Sequence, residues 1–70
     1  MVTYYIHSNG LFYMPNYFEM LIREIRINKR SKWPRQMLNA IGISTKDINQ
    51  IAKGMFHHHI EGETVVVTIH

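Results

Sequence analysis

Cysteine is absent from this chain of 70 residues. That excludes a disulfide framework, a thiolate metal site and a thiol nucleophile, and it fits a reducing compartment. No apolar run approaches the ~18 residues that a membrane-spanning helix needs. The opening stretch VTYYIHSNG lacks the basic start and long apolar core of a signal peptide. The expected setting is therefore cytoplasmic, with no membrane association. Proline occurs only twice and glycine four times, so no segment has the composition of a flexible or proline-rich linker. Hydrophobic residues make up 46% of the chain, a globular rather than a disordered composition. One domain, residues 1–70, is expected. A chain this short buries only ~60% of its unfolded surface, so self-association would add to its stability.

Acidic residues are also few, five against eight Lys and Arg, for a formal net charge of +3. Their placement says more than the total. All eight cations (Arg23, Arg26, Lys29, Arg30, Lys32, Arg35, Lys46 and Lys53) fall within one middle stretch, where only Glu24 and Asp47 oppose them. Glu19, Glu61 and Glu63 lie outside it. Such asymmetry is the footprint of a polyanion binder, although a solvated basic face that keeps a small protein in solution has the same composition.

The most informative stretch is MLNAIGISTKDINQIAK, residues 37–53. Gly42 can take the left-handed conformation that closes a helix. Ser44 can then open the next one, its hydroxyl accepting from amides near Asp47 in a capping box with Asp in place of Glu. Ile48, Ile51 and Ala52 fall on one face of that second helix and are expected to pack on Leu38 and Ile41. Lys46, Asn49, Gln50 and Lys53 fall on the other.

On these residues the stretch resembles a helix-turn-helix, over about a quarter of the chain. The resemblance implies a second helix that lies in a DNA major groove. Thr45, Lys46, Asn49, Gln50 and Lys53 would then face bases and phosphates, Asn and Gln being able to pair bidentately with adenine. Arg23, Arg26, Lys29, Arg30, Lys32 and Arg35 would hold phosphates. A packed helical corner that binds nothing shares the same pattern.

Upstream, VTYYIHS and LFYM are aromatic and β-branched runs joined by Asn9-Gly10, which reads as a β-hairpin with a type I′ turn. In that register Tyr4, Ile6, Leu11 and Tyr13 share one face, and Thr3, Tyr5, His7, Phe12 and Met14 the other. Two apolar faces are more than a half-exposed hairpin should carry. Tyr5, Phe12 and Met14 are thus candidates for a homodimer or protein-partner interface, the alternative being that Tyr5 and Phe12 pack beneath the first helix. Pro15 should end the second strand, and Asn16 with Glu19 forms a plausible cap. Phe18, Leu21, Ile22 and Ile25 then recur at helical spacing. Pro34 suits the first position of a second helix, whose apolar side would comprise Trp33, Met37, Leu38 and Ile41. Trp33, set among basic residues, has the chemistry to stack on a base, but a lone Trp is more often a core anchor.

Gly54 gives a further stop, and residues 56–69 read as a hairpin about Glu61-Gly62, with Ile60 opposite Glu63. Phe56, His58, Ile60, Val65, Val67 and Ile69 make its core face. His57, His59, Thr64, Val66, Thr68 and His70 make the other. A hairpin directly after such a helix resembles the wing of winged-helix domains, but the tip Glu61-Gly62-Glu63 is acidic where a phosphate-touching wing is basic.

His57, His59 and His70 could approach one another as imidazole ligands, yet no Asp or Cys completes a set. No metal and no cofactor is expected. FHHHIEGETVVVTIH also resembles the His-bearing strand pair of HicA-type mRNA interferases, which would put His58 or His59 in a catalytic place. The order of helices and strands departs from that family, and no catalytic residue is assigned.

The expected fold is α+β: an N-terminal β-hairpin, three short helices with a helix-turn-helix, and a wing-like C-terminal hairpin. The expected function is a small DNA-binding transcriptional regulator, with no enzymatic activity. A protein-interaction module or inhibitor is the alternative, and an RNA-binding or ribonuclease-like protein the remote one.

Overall fold

The computed structural model describes residues 1–10 and 12–70. The elements run β1 (Val2–His7), α1 (Met14–Ile27), α2 (Lys32–Ala40), α3 (Thr45–Lys53), β2 (Phe56–Glu61) and β3 (Thr64–Ile69). This is the α+β class expected, with three helices and a C-terminal hairpin. The three strands form one antiparallel sheet in the order β1-β3-β2. The central strand has the sequence TVVVTI. Its unbroken run of β-branched residues suits a strand paired on both edges.

Side chains alternate across the sheet. Ile6, Val65, Val67 and Ile69 point into the core, and Tyr4 packs against it. Helix α1 supplies Met14, Phe18, Leu21, Ile22 and Ile25 to that core, spaced by three and four along one stripe. Leu38 of α2, Ile43 of the α2–α3 turn, and Ile48, Ile51 and Ala52 of α3 complete it.

The N-terminal hairpin is corrected. Among the described residues β1 has no strand partner in the segment that follows it; it pairs along its length with β3, from Val2 opposite Ile69 to His7 opposite Thr64. Leu11, assigned to that hairpin from sequence, lies outside the described residues. Asn9 and Gly10 sit instead in a loop in which the Phe12 N–H donates to Asn9 Oδ1 at 3.0 Å. Met14 and Pro15 are the first residues of α1 rather than the end of a strand. The physical reason is competition for Met14 and for β1. Met14 continues the helical stripe of Phe18 and Leu21, and β3 offers β1 a full β-branched partner that LFYM cannot match.

The expected caps of α1 and α2 also move. Asn16 lies inside α1, and the N-cap, Tyr13, makes no side-chain bond. The free amide of Met14 is met from six residues upstream, by Ser8 Oγ at 2.7 Å. The same hydroxyl donates to the Glu63 carbonyl at 2.9 Å, so one serine joins β1, the start of α1 and the β2–β3 turn. Helix α2 begins at Lys32, two residues before the position expected from Pro34, which is buried within its first turn. Three residues in, Pro still lacks only an amide that has no partner within the helix.

The β2–β3 hairpin has the faces expected but a different register. Ile60 stands opposite Val65, not Glu63, and Gly62 and Glu63 form the turn. Gly62 alone takes a positive φ there, +63°, as at the first central residue of a type II′ turn.

Candidate nucleic-acid interface

Two hydrogen bonds close α2. The Gly42 N–H donates to the Asn39 carbonyl and the Ile43 N–H to the Leu38 carbonyl, each at 3.0 Å. With Gly42 at φ +107°, this is a Schellman ending. It buries Ile43 beside Leu38, as such endings commonly bury an apolar pair. Ser44 then caps α3, its Oγ accepting from the Asp47 N–H at 3.3 Å and donating to Asp47 Oδ2 at 3.0 Å.

The reciprocal bond of a capping box is relayed. The Ser44 N–H donates to Tyr4 Oη at 3.4 Å, and Tyr4 Oη donates in turn to Asp47 Oδ2. A residue of β1 thereby stands between the two members of the cap. It also satisfies Asp47, a carboxylate only 8% exposed, whose burial would be costly without such partners.

The corner leaves Thr45, Lys46, Asn49 and Lys53 exposed and Gln50 partly so. Both amides are held. Arg35 of α2 donates from Nη1 to Asn49 Oδ1 at 2.7 Å and from Nε to the Lys29 carbonyl at 2.7 Å. Gln50 Nε2 donates to the His70 carbonyl at 2.9 Å. One flank of α3 is thereby joined to α2 and the α1–α2 loop, and the other to the end of β3.

The cations expected from sequence are only partly gathered. The guanidinium of Arg26 lies over Gly54, where a Cβ would meet its Nη1 at 2.0 Å. That sets a positive charge at the C-terminal end of α3, which the helix dipole favours. Gly54 is favoured by its φ of +83°, whereas the exposed end of Arg26 could move aside from a Cβ. The backbone of Lys29 is tied to α3 through Arg35, which bonds both the Lys29 carbonyl and Asn49. Arg23 and Lys32 are exposed, and no bond among the described residues ties them to α3.

Among the described residues no Lys or Arg lies within 4.0 Å of a carboxylate. Three of the five carboxylates find other partners. Glu19 meets His58 Nε2 at 2.6 Å, Glu61 meets His59 Nε2 at 2.7 Å, and Asp47 is held by hydroxyls. The basic surface is thus not neutralised from within the molecule.

Two further expectations are revised. Trp33 is 45% exposed and is not a core anchor, because α2 turns Pro34 and Leu38 inward instead. Tyr5, Phe12 and Met14 share no face. Tyr5 is 65% exposed on the outer side of the sheet, Phe12 stacks on Tyr17 with ring centroids 4.4 Å apart, and Met14 is 2% exposed. Strand alternation does not carry past His7, so the inferred grouping had no backbone to support it. His57 and His59 do project on one side, and His57 Nδ1 reaches His70 Nε2 at 2.6 Å. His58 points the other way, edge-on to Phe18.

An open depression of about 170 Å³ lies beside α3, lined by Met1, Val2, Lys46, Asp47, Gln50, Ile69 and His70. It is smaller than the roughly 300–1,000 Å³ of ordinary ligand pockets. No helix among the described residues is long and apolar enough to cross a membrane. The Tyr4 relay and the Arg35 clamp were not foreseen, since each joins residues far apart in sequence that no local pattern links. No protein-family model, no curated protein and no solved structure matches this chain.

Proposed function

We propose that this protein is a small DNA-binding regulator in which α3 enters the major groove. The observation that carries this reading is the open polar face of α3, flanked by cations that no carboxylate among the described residues neutralises. Lys46 and Lys53 reach phosphates at the two ends of α3. Arg26 extends the basic surface past its C-terminal end, Lys29 and Arg30 add charge on the loop that Arg35 ties to Asn49, and Asn49 and Gln50 meet base edges. The order of strand, three helices and hairpin supports the resemblance to winged-helix domains.

The hairpin itself takes no part in the contact. Its acidic tip lies at the far end of strands of six residues, roughly 15–20 Å from the end that adjoins α3. There Ser8 holds it by the Glu63 carbonyl.

The test is a titration of labelled duplexes with increasing salt. Each phosphate contact contributes about −0.9 to the slope of log affinity against log salt, so four or five contacts give a slope of about −4. An absence of binding to any duplex at about 50 mM salt, where such contacts are strongest, would defeat the reading.

A protein-interaction module has one observation in its favour. The outer face of the sheet presents Tyr5, 65% exposed, between Thr3 and His7 on an edge strand, and exposed tyrosines are favoured at interfaces. Tyr5→Ala distinguishes the two readings, because it leaves α3 untouched. Unchanged DNA affinity alongside loss of a protein complex would favour the second.

A further inference from the structure

Asn49 and Gln50 are each capable of the same bidentate contact with adenine, donating to N7 and accepting from the N6 amino group. That contact requires the carboxamide oxygen and nitrogen to face the base together. Here each amide has one end engaged, and the chemistry of its partner fixes which end. A guanidinium has donors and no acceptor, so Asn49 must turn its oxygen to Arg35, as the 2.7 Å bond shows. A backbone oxygen only accepts, so Gln50 must turn its nitrogen to His70, as the 2.9 Å bond shows. Neither amide can flip without placing like against like.

We infer that Arg35 and the His70 carbonyl fix Asn49 as an outward donor and Gln50 as an outward acceptor, so that α3 reads two different bases rather than two adenines. The inference rests on the DNA-binding reading above. Facing outward, the Asn49 amino group matches a base edge that offers acceptors alone, the O6 and N7 of guanine or the O4 of thymine. The free Gln50 oxygen matches an edge that offers an amino group, adenine or cytosine. Arg35 is a positioning residue: its own Nε is spent on the Lys29 carbonyl, at 2.7 Å. The clamp therefore also fixes the loop that carries Lys29 and Arg30 against the reading helix.

The experiment is a selection from a duplex pool with a randomised core, run in parallel on the wild-type chain and three variants, each checked for folding by circular dichroism. Asn49→Ala identifies the column that Asn49 reads, because that column alone loses its preference. In the wild type this column should favour guanine or thymine. Arg35→Met releases the amide and should raise adenine there by about tenfold, the lower part of the range for one bidentate contact. Asn49→Asp keeps an oxygen for Arg35 but replaces the outward donor by an acceptor. It should move the same column to cytosine or adenine while leaving the neighbouring Gln50 column unchanged, and it carries the test if Arg35→Met does not fold.

A wild-type adenine in the Asn49 column, or a column unmoved by Arg35→Met and Asn49→Asp, overturns the clamp while DNA binding stands. A pool from which the wild-type chain retains no duplex overturns DNA binding, and the clamp with it.

Discussion

Helices α1 and α3 both begin just after a reversal of the chain, and they solve the problem of their first amides in opposite ways. Helix α3 carries its own cap. Ser44 stands at its first position and Asp47 three residues on, and Gly42 has just closed the helix before it. Helix α1 has no cap of its own. The Tyr13 side chain offers no bond, and the amide of Met14 depends on Ser8, which in turn depends on the Glu63 carbonyl. The first start is built from neighbours in sequence, and the second exists only once the sheet has assembled. Tyr4 joins the two, because it reaches from β1 into the Ser44–Asp47 cap.

The contrast can be broken at several points. The largest effect is expected at Leu38, fully buried beneath the corner, where Leu38→Ala should cost about 2–5 kcal/mol in denaturant unfolding. A loss below that range would mean that the corner stands without its apolar anchor. Next come the two glycines. Gly54→Ala meets both a left-handed backbone and Arg26, whereas Gly42→Ala meets the backbone alone. Each strain is on the order of 1–3 kcal/mol and the two should be alike, because the exposed guanidinium of Arg26 can swing aside. A markedly lower melting temperature for Gly54→Ala would show that Arg26 is held in place over α3.

Tyr4→Phe tests whether the α3 cap is self-contained. It removes the relay while keeping the ring, and leaving the Ser44 amide and part of Asp47 unmet should cost about 1–3 kcal/mol. A neutral result would make Ser44 and Asp47 sufficient by themselves. The smallest change is expected for Ser8→Ala, about 1 kcal/mol, the usual worth of a helix cap. Amide exchange should show it as faster opening at the start of α1 and in the β2–β3 turn together. Faster exchange at only one of them would separate what the serine is said to join.

What was legible in the sequence follows the same division. The corner could be read because Gly42, Ser44, Asp47, Ile48 and Ile51 act within a few residues of one another, where spacing and turn chemistry decide the outcome. The core stripe of α1 and both faces of the last hairpin were legible for the same reason, since period alone sorts their residues. The partner of β1 was not. Asn9-Gly10 is a strong local signal for a hairpin, but the pairing was decided by β3, almost sixty residues on. Trp33 was misplaced because type alone favours burial, whereas Leu38 and Pro34 had already set which side of α2 turns inward. On the candidate site, exposure of the α3 residues could be read from helical period. Their hydrogen-bond partners, Arg35 and the His70 carbonyl, could not, because tertiary packing alone brings them near.

Ser8 and Arg26 mark the two ends of α1, and the charges divide along the same axis. Glu61 and Glu63 lie toward the end where Ser8 holds the turn, while Arg26 lies toward the other. Over 14 residues the rise of the helix separates those two ends by about 20 Å. The molecule therefore carries a lasting electric moment, and near a negatively charged surface it experiences a torque before it experiences a contact. It arrives already turned, cationic pole foremost.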